Sequence, residues 1–374
     1  MHLVTAAPSE PIKVCFVTLR AYPLFNPAVE KLFGGTEVDF YYLSRELARD
    51  ERFAVSFIVG DYGQPPVEQR DGVKLIKSLD VEGNFLLQGR RLWNALKLAD
   101  AQIYVTQGLS LGTALIAWFC RRYRRFQVSR TASTFECDGT YLRHNPARAP
   151  AVRWAIRQAD ALIIQNDYDV EKAKATFGIT PMTIRNGQVL PPLEHSTRRG
   201  AIWIGRSIEV KRVDRFLDLA RQFPDQPFTL ICQRASGDSQ YDQLVAQANQ
   251  IPNLEFLPRV KFQEVEDYFL RAAVFVNTSD AEGFPNTFVQ ACKCSTPILS
   301  HTIDPDSFIK NYQCGLCAHA DEQTFLDMFK QLLDPTTAQR YGANGRRYAE
   351  ENHDITRIIE QYKDIFRKLL ATQS

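Results

Sequence analysis

Short β-rich runs alternate with amphipathic helical stretches along this chain, and the alternation runs through twice. The first series opens with the strand-like KVCFVT (Lys13–Thr18). A helical stretch, Thr36–Ala48, then carries Phe40, Leu43 and Leu47 on one stripe. Strand-like runs follow at 53–60, 101–107, 126–133 and 161–166, and the series closes near Met182–Pro192. The polar stretch Leu193–Gly200 reads as a linker. A second series starts at AIWIGR (Ala201–Arg206), and its first helix places Val213, Phe216, Leu217 and Ala220 at i, i+3, i+4 and i+7. Further runs lie at 228–233, 254–258, 273–279 and 296–300. The last segment keeps Ile355, Ile358, Ile359, Tyr362, Ile365, Phe366, Leu369 and Leu370 on one face of a long helix. This rhythm builds parallel sheets covered by helices on both faces. The expectation is an α/β chain of two doubly wound domains, residues 1–195 and 196–352, with a C-terminal helix, 353–374, crossing back to the first. Ligands of such sheets lie outside the carboxyl ends of the strands, so a central cleft between the domains is the expected site.

A chain of 374 residues exceeds what one core ordinarily carries, which agrees with two domains. Its 45 Lys+Arg against 43 Asp+Glu leave a net charge of +2, so no nucleic-acid partner is indicated. Met1–Pro11 lacks the basic start and apolar core of a signal peptide, and the longest apolar run, around Leu115–Cys120, is too short to span a bilayer. A cytoplasmic protein is expected. The eight cysteines are scattered. CKC (Cys292–Cys294) and CGLC (Cys314–Cys317) have spacings that a zinc site could use. YQCGLCAHA reads better as a strand after a turn, and buried free thiols are the ordinary state in a cytosolic protein.

Four stretches hold residues suited to chemistry. In FGGTE, Gly34 and Gly35 precede a helix, where backbone N–H groups and the helix dipole favour an anion; the plain alternative is a flexible turn. It is neither a GxGxxG fingerprint nor a Walker loop. In IGRSIEVKR, Arg206 ends a strand and Lys211 opens a helix, two cations that suit a diphosphate, or two solvated charges. In DAEGFPNTFVQ, Glu282 stands on a turn after a strand, and Asn286 is placed to cap the next helix. The N–H groups of Thr287 and Phe288 would then form a second anion site, with Gln290 one turn inside. A carboxylate beside a phosphate site suits a neutral polyol, because it accepts hydroxyl hydrogen bonds well. The implied ligand carries both sugar and phosphate. Finally, AWFCRRYRRF (Ala117–Phe126) sets four arginines among aromatics at a helix end. Cations there satisfy the last carbonyls, or touch anionic lipid headgroups.

In combination these stretches resemble glycosyltransferase family 4, the retaining GT-B group also described as glycosyl transferases group 1. The family has a glycine-rich loop after the first strand, a G-R…K pair opening the second domain, and an E-x7-E element. They stand here as FGGTE, GRSIEVK and EGFPNTFVQ. ADALIIQNDYD…IRNGQ and VFVNTSDAEGFPN add to the likeness, which extends from about Lys13 to Leu370. It implies two Rossmann-like domains. It also implies that Arg206 and Lys211 hold the donor diphosphate, with Gly205 beside them in the donor site, and that Glu282 contacts the transferred sugar. Gly283, Phe284, Asn286, Thr287 and Phe288 would line the donor site, with Gly34 and Gly35 on the first-domain side. The activity implied is metal-independent transfer of a hexosyl unit, with retention, from a UDP- or GDP-sugar to a saccharide, lipid-linked or small-molecule hydroxyl. No cofactor is implied.

Two departures stand out. Gln290 occupies the second acidic position, which usually binds the nucleotide ribose; glutamine accepts one hydroxyl there without charge. The stretch Ser129–His144 has no histidine at its strand end, where many members carry one. Asp138, before Gly139, is the first candidate to act in its place, with Glu136 and His144 behind it; a turn-forming DG pair is the alternative for Asp138. The DxD patterns at Asn166–Asp169 and Asp304–Asp306 are read as a helix cap at Asp167 and a proline turn, and not as metal sites. The rival functions are a sugar-nucleotide epimerase, a phosphorylase, or a non-catalytic nucleotide-sugar sensor.

Overall fold

The computed structural model describes residues 10–31, 33–80, 85–193, 197–235, 237–282 and 284–372, apart from the side chains of 85–87 and 306. The chain divides into two compact units, Met1–Val189 with Ile355–Ser374, and Leu190–Asp354.

In the first unit the strands are β1 (Ile12–Val17), β2 (Phe53–Val59), β3 (Val67–Arg70), β4 (Val73–Lys77), β5 (Ile103–Gln107), β6 (Phe126–Arg130), β7 (Ala161–Ile164) and β8 (Met182–Thr183). They form one sheet in the order β3-β4-β2-β1-β5-β6-β7-β8. Every pairing is parallel except β3 with β4. That hairpin is an addition to the sequence reading. Its two-residue turn puts Asp71 at φ 51° and Gly72 at φ 78°, the paired left-handed geometry for which Asp-Gly is suited. The strand order reverses between β1 and β5.

The helix Ile355–Ala371 belongs to this unit and packs on the helix Gly35–Ala48. It buries Ile355, Ile358, Ile359, Tyr362, Ile365 and Phe366, each large apolar side chain contributing roughly 1.5–3 kcal/mol. Lys363 is buried on the same face, 2.9 Å from Asp50. Hydrogen bonds from Arg52 and Lys363 hold the Asp50 carboxyl well below the usual carboxylate range. A Cβ at Gly187 would lie 2.3 Å from Ile355 Cδ1, so glycine lets the chain pass close to the helix start.

A buried charge ties the unit together from inside. Arg130, at the end of β6, is 1% exposed and pairs with Asp39 of the helix Gly35–Ala48. Arg130 Nη2 also donates to Asn186 Oδ1 at 2.5 Å, and Asp39 Oδ1 accepts the Gly187 N–H at 3.0 Å. Helix, strand end and the Asn186–Gly187 segment therefore share one ion pair.

The second unit contains β9 (Ala201–Arg206), β10 (Phe228–Gln233), β11 (Leu254–Leu257), β12 (Val274–Asn277), β13 (Ile298–Ser300) and β14 (Gly315–Cys317). They form an all-parallel sheet in the order β11-β10-β9-β12-β13-β14. This is the doubly wound 3-2-1-4-5-6 pattern, with its switch point between β9 and β12. On one face, Phe216, Leu217 and Ala220 of the helix Val213–Gln222 pack with Phe228, Phe325 and Phe329. On the other, Phe288, Ala291 and Cys292 of the helix Asn286–Lys293 pack with Phe269, Phe275 and Phe308.

The cysteines of CKC and CGLC are all buried core side chains. Burial pushes the Cys294 thiol up to about 12. Among the described residues no cluster of His, Cys, Asp and Glu is arranged to hold a metal ion, and no helix is long and apolar enough to cross a membrane.

Candidate functional site

The loops that leave β9 and β12 at the switch point are bound to each other. After Arg206 the chain turns through Ser207 and a single 3-10 turn, Glu209–Lys211. The Asp280 N–H donates to the Val210 carbonyl at 2.9 Å, and Thr278 Oγ1 donates to the Lys211 carbonyl at 2.8 Å. The Trp203 indole N–H in turn donates to Thr278 Oγ1 at 2.9 Å. Below them, Arg215 donates to the Thr278 carbonyl at 3.0 Å and to Asp280 Oδ1 at 2.5 Å. Hydrogen bonding from Arg215 holds the Asp280 carboxyl below its ordinary range. Gly205 serves this scaffold: an added Cβ would sit 2.8 Å from the Trp203 ring.

Lys211 Nζ lies 2.6 Å from Glu282 Oε2. The other carboxylate oxygen, Oε1, accepts from Asn277 Nδ2 at 2.9 Å and from Ser279 Oγ at 2.5 Å. Both residues are largely covered, Lys211 with 23% and Glu282 with 12% of its side chain exposed. The sequence reading assigned these two residues to different parts of a ligand; the structure joins them. Arg206 is exposed and forms no ion pair among the described residues.

The helix Asn286–Lys293 starts differently from the expectation. Pro285 occupies the N-cap position and Asn286 is the first helical residue, because proline's fixed φ already suits the entry to a helix. The Phe288 N–H donates to the Pro285 carbonyl at 3.0 Å, so it does not point out as an anion donor. The Thr287 N–H has no partner among the described residues and remains the donor at this helix start. The rings of Phe284 and Phe288 belong to the aromatic core, with Phe284 5.1 Å from Phe308 between centroids. Gln290 is half-buried one turn along. Gly283 lies outside the described residues.

In the first unit Gly34 and Gly35 do open a helix, but a carboxylate already occupies the place. Glu37 Oε2 accepts the Gly34 N–H at 2.7 Å and the Thr36 hydroxyl at 2.9 Å, while Oε1 accepts from Thr18 at 3.3 Å. This is a capping box without a capping hydroxyl. Gly34 has φ −117°, so no left-handed backbone is involved.

Asp138 ends the short helix Thr134–Cys137, and its Oδ1 accepts the Thr140 N–H at 2.8 Å. Partial burial opposes its charge, but the bonds from Thr140 and the nearby Arg143 outweigh it and hold the carboxyl below the ordinary range. Gly139 follows at φ 79°. The DG pair thus forms a turn. Glu136 is buried and fastens two loops, accepting the Leu109 N–H at 3.0 Å and the Ala132 N–H at 2.6 Å. Burial raises its carboxyl despite these two bonds. His144 is exposed, with Nδ1 2.9 Å from the Thr140 carbonyl. Asp167 is not the helix cap: Asn166 Oδ1 accepts the Asp169 N–H at 2.9 Å.

The sequence reading did not single out Trp203, Asn277, Thr278 or Ser279. The signal available was NTSD, a polar run straight after a buried strand, which marks the rim of a parallel sheet. An open cavity of about 1040 Å³ lies beside the same loops, lined among others by Ser207, Asp214, Asp238, Gln243 and Asp280. Arg206, Lys211 and Glu282 are not on its walls. The ion pair and the cavity are separate features.

Residues 198–335 match the family model described as Glycosyl transferases group 1. That span contains β9, the Lys211 loop, Glu282 and Gln290. Curated protein sequences yield no match. Among solved structures, the chain is similar to sucrose-phosphate synthase from Thermosynechococcus elongatus, at 17% identity over 97% of this chain and 100% of that one, with a TM-score of 0.73. It is similar to a UDP-forming α,α-trehalose-phosphate synthase from Burkholderia xenovorans in complex with glucose-6-phosphate, at 11% identity over 95% and 100%, TM-score 0.68. It is also similar to WaaG, a glycosyltransferase of lipopolysaccharide biosynthesis, at 14% identity over 94% and 99%, TM-score 0.62. At these identities the likeness establishes the fold, two Rossmann-like parallel sheets of the GT-B kind, and the match to the group 1 model falls within the second unit.

Proposed function

We propose that this chain is a retaining, metal-independent glycosyltransferase that moves a hexosyl unit from a UDP- or GDP-sugar to a hydroxyl of a saccharide, lipid-linked glycan or small molecule. The observation that carries the reading is the Lys211–Glu282 pair at the switch point of a group 1 domain. An oxygen of the donor's diphosphate replaces Glu282 Oε2 as the partner of Lys211. That exchange frees one carboxylate oxygen to accept a sugar hydroxyl, while Asn277 and Ser279 keep Oε1 in place. As the bond from the anomeric carbon to the phosphate oxygen breaks, negative charge grows on the diphosphate. Lys211, with Arg206 at the strand end and the Thr287 N–H, stabilises it there. The acceptor oxygen bonds to the anomeric carbon on the same face, and its proton passes to the departing phosphate oxygen. Gln290 accepts a ribose hydroxyl. The UDP-forming synthase among the structural relatives, and its glucose-6-phosphate complex, support a nucleotide-sugar donor and a saccharide acceptor.

The test is a panel of UDP-, GDP- and ADP-sugars, assayed with EDTA for binding and slow hydrolysis on the wild type and Glu282→Ala. One donor hydrolysed without metal, with turnover lost in the variant, is the expected result. Binding of no donor at millimolar concentration overturns the reading. Interconversion of the donor sugar without an acceptor would point to an epimerase.

A further inference from the structure

The helices Phe85–Ala99 and Leu111–Tyr123 pack side by side and bear a charge unlike the rest of the molecule. From Phe85 to Phe126 the sequence holds seven Lys or Arg and one acid, Asp100, against 45 and 43 in the whole chain. Everything outside this segment is therefore net acidic. Asp100 is taken by Arg125 at 2.6 Å. Arg90, Arg91, Lys97, Arg121 and Arg122 are exposed and form no ion pair among the described residues. Cations at a helix C-terminus have a local explanation, which covers Arg121 and Arg122. It does not cover Arg90 and Arg91, which lie in the second turn of their helix.

Large apolar side chains stand exposed among these cations. Trp118 is 56% exposed, Leu98 48% and Tyr123 38%. Trp93 joins the two helices, its ring 4.8 Å from Trp118 and 6.0 Å from Tyr123 between centroids. Lys97 Nζ and the Arg122 guanidinium both lie over the Tyr123 ring, at 5.9 and 5.6 Å. On the first helix Arg90, Trp93 and Lys97 share one face at i, i+3 and i+7; on the second, Trp118, Arg121 and Arg122 follow at i, i+3 and i+4. Two packed helices thus present one surface of indole, phenol and cations.

We propose that this surface docks the first unit on an anionic lipid bilayer. Indole and phenol rings favour the headgroup level, being apolar with one polar edge. Lysine and arginine lay their stems along apolar material while their charges meet the headgroups, and cations near an anionic leaflet add attraction that falls off within a Debye length. The docking stands whether or not the chain transfers a sugar.

The experiment is co-sedimentation of the full chain with vesicles of phosphatidylcholine alone, or with about 30 mol % phosphatidylglycerol, at low and high salt. Binding to the anionic vesicles, weakened by salt and absent with phosphatidylcholine alone, is expected. The double variant Arg121→Glu, Arg122→Glu should lower the partition coefficient at least about tenfold, and Trp118→Ala several-fold. Both should keep the wild-type circular dichroism and melting temperature, since the three side chains are exposed. No preference for anionic vesicles, or wild-type binding by both variants, overturns the proposal. So does light scattering that shows a wild-type dimer becoming a monomer in Trp118→Ala, which would give the face to a second copy of the chain.

Discussion

Lys211 Nζ stands 2.6 Å from Glu282 Oε2, and both partners are held from behind. Thr278 fixes the lysine's backbone, and Asn277 and Ser279 fix the other oxygen of the glutamate. In the proposed reaction this pair exchanges with the donor, since Oε1 is tied to Asn277 and Ser279 and only Oε2 can change partner without disturbing the loop. Lys211→Met should reduce donor turnover by about 10²–10³-fold in kcat, the usual cost of removing one group that stabilises developing negative charge. Glu282→Gln should keep donor binding and lose turnover. Glu282→Gln keeps the shape of the side chain and removes the charge, so it should melt closer to the wild type than Lys211→Met, which leaves a carboxylate only 12% exposed without its cation and should cost about 1–3 kcal/mol. Initial rates and thermal melts on the three proteins check this.

Gly205→Ala tests the support under that pair. Its Cβ would displace the Trp203 ring, whose N–H holds Thr278, which in turn holds Lys211. The expected outcome is a stability loss of about 1–3 kcal/mol from overpacking, with a fall in kcat of at least about tenfold from a misplaced lysine. Trp203→Phe removes the N–H together with the five-membered ring of a buried indole, so it too should cost about 1–3 kcal/mol, here from the cavity left behind and not from overpacking. Urea denaturation beside donor turnover separates the two effects.

The buried pair Asp39–Arg130 should dominate the stability of the first unit. Asp39→Ala leaves Arg130 charged, 1% exposed and missing its counter-ion, a change worth about 3–5 kcal/mol. The double variant Asp39→Leu, Arg130→Met removes both charges and should recover most of that loss. Chemical denaturation of the two variants decides the matter: equal losses would mean that the charge is not the cause.

His301 gives the second unit an acid-sensitive point. It is buried after β13, with Nδ1 2.8 Å from Thr302 Oγ1 and Nε2 3.3 Å from Glu322. Burial, with Arg215 nearby, lowers its pKa below the ordinary 6.5, although Glu322 and Asp280 act the other way. The folded form therefore holds the proton less tightly than the unfolded chain. Its contribution is intact above about pH 6.5 and is lost as pH falls through that value toward the lower folded pKa. Urea midpoints at pH values on either side of 6.5 should drop more for wild type than for His301→Asn.

Much of this arrangement was legible in the residues. The two sheets follow from buried runs such as Val14–Val17 and Ala201–Trp203, and the terminal helix from its i, i+3, i+4 stripe ending in Tyr362, Ile365 and Phe366. The hairpin β3–β4 had its signal in Asp71-Gly72 between alternating runs, but VEQR is polar and half-exposed, so periodicity alone passes it over. The site was legible as positions and not as contacts. Glu282 and Lys211 are 71 residues apart, and no local pattern tells that the switch point joins them. Nor does FGGTE reveal that Glu37 folds back over Gly34, since one carboxylate serves equally as a helix former or as a cap.

The first unit is discontinuous, and this sets the order in which the molecule can be completed. During synthesis β1 to β8 emerge first, yet Phe53 and the outer face of the helix Gly35–Ala48 stay uncovered until residues 355–371 arrive. About 165 residues intervene, roughly ten to thirty seconds at ordinary elongation rates. The unit that starts later, Leu190–Asp354, is contiguous and can close on itself while the earlier one waits. On the ribosome the second half thus finishes first, and the nascent first half presents a greasy seam to whatever chaperone stands at the exit.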